Sequence, residues 1–182
     1  MKKRHINRRT FIQSIGALSL GCLVVPLKTF ARPARARHLN LFNTHTSESL
    51  SITYWQNGQY HASALQKIHH FLRDWRTGDI TNIDIGVIDF LHDIYQASGA
   101  NRAINIISGY RSPKTNFALH LASTGGVAKK SLHTAGKAID FFIEGQPLHK
   151  LRKIAISLGR GGVGYYPKNH FIHIDTGKVR FW

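Results

Sequence analysis

Cysteine is nearly missing. Cys22 is the only one in 182 residues, so the chain cannot close a disulfide within itself. Zinc sites built on four cysteines, or on two cysteines and two histidines, are excluded as well. A tightly held transition metal would have to sit on histidine and carboxylate ligands. Acidic residues are scarce too, 9 against 25 Lys+Arg, for a formal charge of +16. Nine of those basic residues and none of the acidic ones fall in residues 1–37, which leaves +7 on the remainder. That excess favours an anionic partner. No zinc-finger spacing, RNA-recognition aromatic motif or Lys/Arg-striped helix is present, so nucleic acid is not expected as the partner. An acidic polymer such as a cell wall meets the charge equally well. Long apolar runs are also lacking. The main one, SIGALSLGCLVVPL (14–27), is short against the roughly 20 residues that a membrane span needs.

What is present begins with that run. It follows the basic MKKRHINRRTFIQ and precedes KTFARPARARH, the three-part layout of an export signal. The Arg8–Arg9 pair followed by Thr10, Phe11 and Ile12 resembles a twin-arginine signal. Small residues place a cut after Ala31 or Ala36. Gly21–Cys22 suits a lipoprotein cut less well, with Ser19 before it and LVVPL after it. Residues 1–37 are therefore expected to be an export and processing region, with one mature domain over 38–182 and no stable membrane span in it. The 42% hydrophobic content suffices for a core in a domain of that length.

Along the mature part, strands are expected near 39–43 and 50–55, with Asn57–Gly58 as a hairpin turn. Leu65, Ile68, Leu72 and Trp75 recur at helical spacing over 62–78; Val87, Ile88, Leu91 and Ile94 do so over 84–99, which Gly99 ends. AINIISGY (103–110) reads as a central strand. Ser112–Pro113 starts a helix to about Ala122, with Ser as its cap. TGGVAKKS (124–131) reads as a basic loop, KAIDFFI (137–143) as a strand, and LHKLRKIAISLG after Pro147 as a helix. GGVGYY and FIHIDT make a final strand pair around Pro167. The class is α+β, a central antiparallel sheet with flanking helices.

Two of these strands carry misplaced polarity. Alternation puts Ala138 and Asp140 on one face and Ile139 and Phe141 on the other; Phe171, His173 and Asp175 likewise share a face. A carboxylate among Ala, Ile and Phe is costly to bury unless it is paired or bound to metal. His133 precedes a turn-prone TAGK that can fold it back beside Asp140. If the two strands are neighbours, His133, Asp140 and His173 converge as two imidazoles and one carboxylate, a zinc set with a fourth position open for water. The plainer alternative is an ion pair of Asp140 with Lys137 or Arg111, with Asp175 capping the turn before Gly177.

The ordered motifs SGYRS (108–112), HTAGKAID (133–140), GGVGYYP (161–167) and FIHIDTG (171–177) resemble the zinc murein peptidases of the D-Ala-D-Ala carboxypeptidase / Hedgehog-like superfamily. The likeness covers nearly the whole chain. It implies that His133, Asp140 and His173 ligate zinc, that Arg111 binds substrate or stabilises the oxyanion, and that Tyr110 and Ser108 line the groove. Many such relatives place Glu or Asp three residues before the last histidine ligand, where this sequence has His170. Asp175 and His170 are the two alternatives for the general base. Asp175 is also placed to orient an imidazole.

The resemblance, the charge and the export signal together imply a periplasmic enzyme, carried by the twin-arginine machinery, that hydrolyses peptidoglycan cross-links. A carboxypeptidase trimming stem peptides, or a non-catalytic wall-binding protein of the same fold, are the alternatives. Lys129 and Lys130 suit stem carboxylates, or simply a solvated loop.

Overall fold

The computed structural model describes residues 36–123 and 127–182. Most of the expected export region, including Arg8–Arg9 and the Ala31 cut, lies outside the described residues, as does part of the basic loop. The first elements are β1 (Arg37–Asn43), β2 (Ser49–Gln56), β3 (Gln59–Tyr60), α1 (Ala62–Phe71), α2 (Ile85–Ser98) and β4 (Ile104–Ser108). They are followed by α3 (Pro113–Ala122), β5 (Ala138–Ile143), α4 (Leu148–Leu158), β6 (Gly162–Tyr166), β7 (Phe171–Asp175) and β8 (Arg180–Phe181). Among the described residues the eight strands form one sheet in the order β3-β2-β1-β4-β5-β7-β6-β8.

The class is α+β, as expected, but the sheet is mixed. The pairs β1·β4 and β6·β8 run parallel, and the other pairings are antiparallel. Strand β4 returns alongside β1 only after the chain has passed through α1 and α2, a crossover that permits parallel pairing where a tight hairpin does not. Two helices sit where capping chemistry puts them. Asp84 accepts the Val87 N–H at the start of α2, and Ser112 accepts that of Thr115 at the start of α3.

Helix α1 is shorter than the spacing of Leu65, Ile68, Leu72 and Trp75 suggests. It stops at Phe71, and the Leu72 carbonyl accepts the Tyr110 N–H at 2.8 Å. Leu72 stays buried, whereas Trp75 swings out and stacks on His45 with ring centroids 4.2 Å apart. Asp74, also buried, accepts the N–H groups of Arg76 and Ser112 at 3.0 and 2.9 Å. Tyr110 and Ser112, on either side of Arg111, are thereby tied to one loop.

The alternation read for β5 and β7 divides the sheet chemically. Ile139, Phe141, Ile143, Ile172 and Ile174 join Leu39, Leu41, Ile104, Ile106, Val87 and Leu91 in one apolar core. Helices α2 and α4 pack on each other and against this side. Asp140, His173 and Asp175 point to the other side. The antiparallel register sets Asp140 directly across from His173 and Ala138 across from Asp175.

Phe141→Ala is expected to cost about 3–5 kcal/mol of stability, as a large ring leaves a full core. Urea unfolding measures it. The neighbouring Asp140 faces away from that core, so metal binding by the variant below its unfolding transition should stay within a few-fold of the parent.

Candidate metal centre

Three segments deliver three donors to one point. His133 sits in a single 3-10 turn, Leu132–Ala135, started by Ser131 and ended by Gly136. Gly136 has φ +65°, and a Cβ there would meet the Asn82 carbonyl oxygen at 2.6 Å. Only glycine lets this turn reverse so tightly against the 81–84 segment. The reversal carries His133 over β5, beside Asp140. Asp140 and His173 arrive from paired positions on adjacent strands.

The donor atoms are close. His173 Nδ1 lies 2.8 Å from Asp140 Oδ1 and 3.3 Å from His133 Nε2, and His133 Nε2 lies 3.2 Å from Asp140 Oδ2. A tetrahedral ion with bonds of about 2.0–2.1 Å has ligand–ligand edges of about 3.3–3.4 Å. The triangle therefore needs only slight expansion to hold one, and the three residues can bind a metal ion.

The far side of each imidazole makes the stronger case. His133 Nδ1 is 2.6 Å from the Gly109 carbonyl oxygen, an acceptor, so it carries the proton and leaves Nε2 free as a donor atom. His173 Nε2 is 3.0 Å from Asp175 Oδ2, so the proton kept there makes Nδ1 the donor atom once the ring has given up its second proton. Ligand histidines are held in this manner by a carbonyl or carboxylate behind them.

The remaining contacts support the donors. Arg111 Nη2 donates to Asp140 Oδ2 at 2.6 Å and its Nε donates to Ser108 Oγ at 2.9 Å. Asp175 is wholly buried. It accepts the Gly162 and Gly177 N–H groups and a two-pronged contact from Arg180, with Nη2 at 2.7 Å from Oδ2.

Electrostatics follow the same layout. Burial pushes the Asp140 carboxyl up, but the His133 and His173 imidazoles more than reverse this, so it stays ionised far below the usual carboxylate range. Burial also raises Asp175, and its contacts with His173, Arg180 and the Gly177 N–H pull it well down. For His133, burial outweighs the attraction of Asp140 and lowers its pKa, keeping the ring neutral at neutral pH. For His173, burial is outweighed by hydrogen bonds to Asp140 and Asp175, which raise it to about 9.

The cleft over this triangle is lined by Arg111, Lys130, Tyr166, Phe171, Arg180 and Trp182 besides the three donors and Asp175. Several expected residues stand elsewhere. Tyr110 packs against the core, and Ser108 holds Arg111; neither lines the cleft. His170 also lies outside the lining. It sits in a left-handed turn after Pro167–Asn169, φ +59°, with its ring edge-on to Phe142. Among the described residues, Asp140 and Asp175 are the only side-chain carboxylates lining the cleft, and every Asp175 oxygen is already engaged. That geometry suits an orienter of His173 better than a free base. Arg180 and Trp182 escaped sequence reading, since nothing in GKVRFW signals a strand that turns back beside β6, whereas Phe171 stands on the face that alternation gave it with His173 and Asp175. Lys129 faces a separate shallow pocket beside α3.

Comparison with known proteins is consistent with this arrangement. A model of the Peptidase_M15_2 family, described as Peptidoglycan L,D-endopeptidase MepK, matches residues 31–182. The chain is 44% identical over 184 residues, covering all of both chains, to Peptidoglycan L,D-endopeptidase MepK of Escherichia coli (strain K12) and of Shigella flexneri. It is 39% identical to Probable peptidoglycan L,D-endopeptidase MepK of Haemophilus influenzae, over 97% of this chain and 95% of that protein.

Two outcomes are expected at the metal site. A metal ion must displace the His173 proton, so apparent affinity should fall about ten-fold for each pH unit below about 9. Calorimetry in buffers of different ionisation enthalpy counts the released proton. In the metal-free protein the sign for stability is opposite: the His173 contribution is complete below its ordinary 6.5 and is lost as pH rises through about 9. Separately, Asp175→Asn should weaken metal binding by about 10–100-fold, because it loosens the orientation of His173. Competition with a chromogenic chelator measures it.

Proposed function

The chain belongs to the Peptidase_M15_2 family, the peptidoglycan L,D-endopeptidases MepK, and from that membership we propose that it hydrolyses peptide cross-links of bacterial peptidoglycan with zinc as its metal. The observation that carries this reading is the donor triangle itself. Two imidazoles and one carboxylate meet on one cleft, and each imidazole is locked from behind in the tautomer a metal requires. Nitrogen and oxygen donors with a side open to the cleft suit a catalytic zinc.

His133 Nε2, His173 Nδ1 and an Asp140 oxygen are the proposed ligands. Zinc held by these three residues would supply an acidified water and a Lewis acid for the scissile carbonyl. Arg111 supplies the fixed cation at the lip of the cleft. Its guanidinium is held by Asp140 and Ser108, so it need not reorganise as negative charge grows on the carbonyl oxygen. His173 keeps its Nε2 proton on Asp175 throughout, and Arg180 holds Asp175 ionised behind it. Asp175 is assigned as a positioning residue, and His170 as a residue of the β6–β7 turn. Lys130, at the cleft, is assigned to carboxylates of the stem peptides.

Compartment follows from substrate. Residues 1–37 are proposed as the twin-arginine export region and 38–182 as the enzyme that acts in the periplasm. The family match from residue 31 and the start of β1 at Arg37 support a division near there. No helix among the described residues is long and apolar enough to cross a membrane.

Purified protein is expected to convert cross-linked muropeptide dimers in isolated sacculi to monomers, read by mass spectrometry of the released products. Chelation should stop this and added zinc restore it. His133→Ala should lose at least about 100-fold in rate, the scale on which removing a metal's chemistry acts. Digestion that proceeds unchanged in His133→Ala would falsify the assignment. Release of single D-Ala with dimers intact would instead mark a carboxypeptidase.

A further inference from the structure

Three cations, Arg111, Lys130 and Arg180, line the cleft together with three aromatic rings, Tyr166, Phe171 and Trp182. Tyr166 and Phe171 face each other across the β6–β7 pair and stack with centroids 4.6 Å apart at 20°. Trp182, just past β8, donates its indole N–H to Tyr166 Oη at 2.9 Å, and its ring centroid lies 5.5 Å from that of His173. The Arg180 guanidinium, itself fixed on Asp175, sits 5.0 Å from the Trp182 ring. These rings are therefore held in place, yet they remain partly open to solvent inside a cleft.

Gly164 explains how they lie so close to the metal ligands. It is the β6 residue paired with His173. A Cβ there would meet Trp182 Cε2 and Cζ2 and Tyr166 Cε2, each at 2.8 Å. The bare backbone is the floor on which both rings rest. Any side chain at 164 would lift them into the cleft. The indole N–H is already satisfied, and its acceptance by Tyr166 Oη leaves the Tyr166 proton free to donate. Among the described residues that proton has no acceptor. Aromatic surface rimmed by polar groups in a cleft is the usual signature of a ligand contact.

We infer that Trp182, with Tyr166 and Phe171, forms the substrate-binding wall of this cleft and grips the methylene chain of a stem-peptide side chain beside the scissile bond. This rests on the peptidoglycan reading given above. The ligand chemistry follows from the lining: an aliphatic chain suits the three rings, and a carboxylate carried on it suits the cations beside them.

The zinc-loaded enzyme, a cross-linked muropeptide dimer and steady-state kinetics test the proposal. Trp182→Ala should raise KM about ten-fold, the scale of one well-placed aromatic contact, and leave kcat within about two-fold. Trp182→Phe should recover most of the affinity. Gly164→Ala should raise KM as Trp182→Ala does, by tilting both rings. Zinc content and thermal midpoint should match the parent in the Trp182 variants, a requirement that a merely structural role would not meet. An unchanged KM in Trp182→Ala overturns the wall, and so does a KM rise that tracks loss of zinc. Should the parent enzyme cleave no dimer at all, the peptidoglycan reading falls first and the proposed ligand with it. Cleavage by the parent with KM unmoved in the variants removes the wall alone.

Discussion

The structure depends on one cross-strand pair. Asp140 and His173 face each other on β5 and β7, near the middle of an eight-stranded sheet. A slip of one residue by either strand would send its own polar side chain into the apolar core and bring Phe141 or Ile172 out to the cleft. The isoleucines and Phe141 behind them oppose such a slip, since they fill the helix-covered side. Packing on one face of the sheet therefore sets the chemistry on the other. The chain has no disulfide with which to hold the site, and the register does that work instead.

Burying two carboxylates beside two imidazoles demands compensation. Asp140 finds it in Arg111 and Asp175 in Arg180, so each buried anion has its own guanidinium. A carboxylate removed from water is tolerated only when paired and hydrogen-bonded, and both are. The imidazoles keep Asp140 ionised, and His173 with Arg180 keeps Asp175 so, which is the state in which one can bind a cation and the other holds an imidazole. Arg111 thus stabilises the folded protein through its pair with Asp140, whatever part it takes in the proposed reaction.

Much of this could be read from residues alone, where a physical rule was strict. Alternation along KAIDFFI and FIHID correctly separates the core face from the polar face, because a strand has a period of two and an apolar side to fill. Ser112–Pro113 and Gly99 mark helix ends through capping, which is local. The failures were those of tertiary origin. Leu72 and Trp75 continue a helical spacing, yet the Leu72 carbonyl is claimed by Tyr110 from another segment. The parallel β1·β4 pairing depends on how two helices pack, not on any stretch of sequence. Tyr110 and Ser108 lie in the right motif but serve the core and Arg111. Trp182 and Arg180 reach the cleft through a strand of two residues, far too short to leave a periodic signal.

The three donors are not equally anchored, and this bears on how an ion would leave. Two sit within strands near the middle of the sheet, whose backbone opens only when most of the domain does. The third rides on a single turn closed by Gly136 and followed at once by β5. Fraying of that turn displaces His133 and leaves the sheet intact. An ion held by these donors would escape through local opening of that turn, at a rate separable from the lifetime of the folded domain.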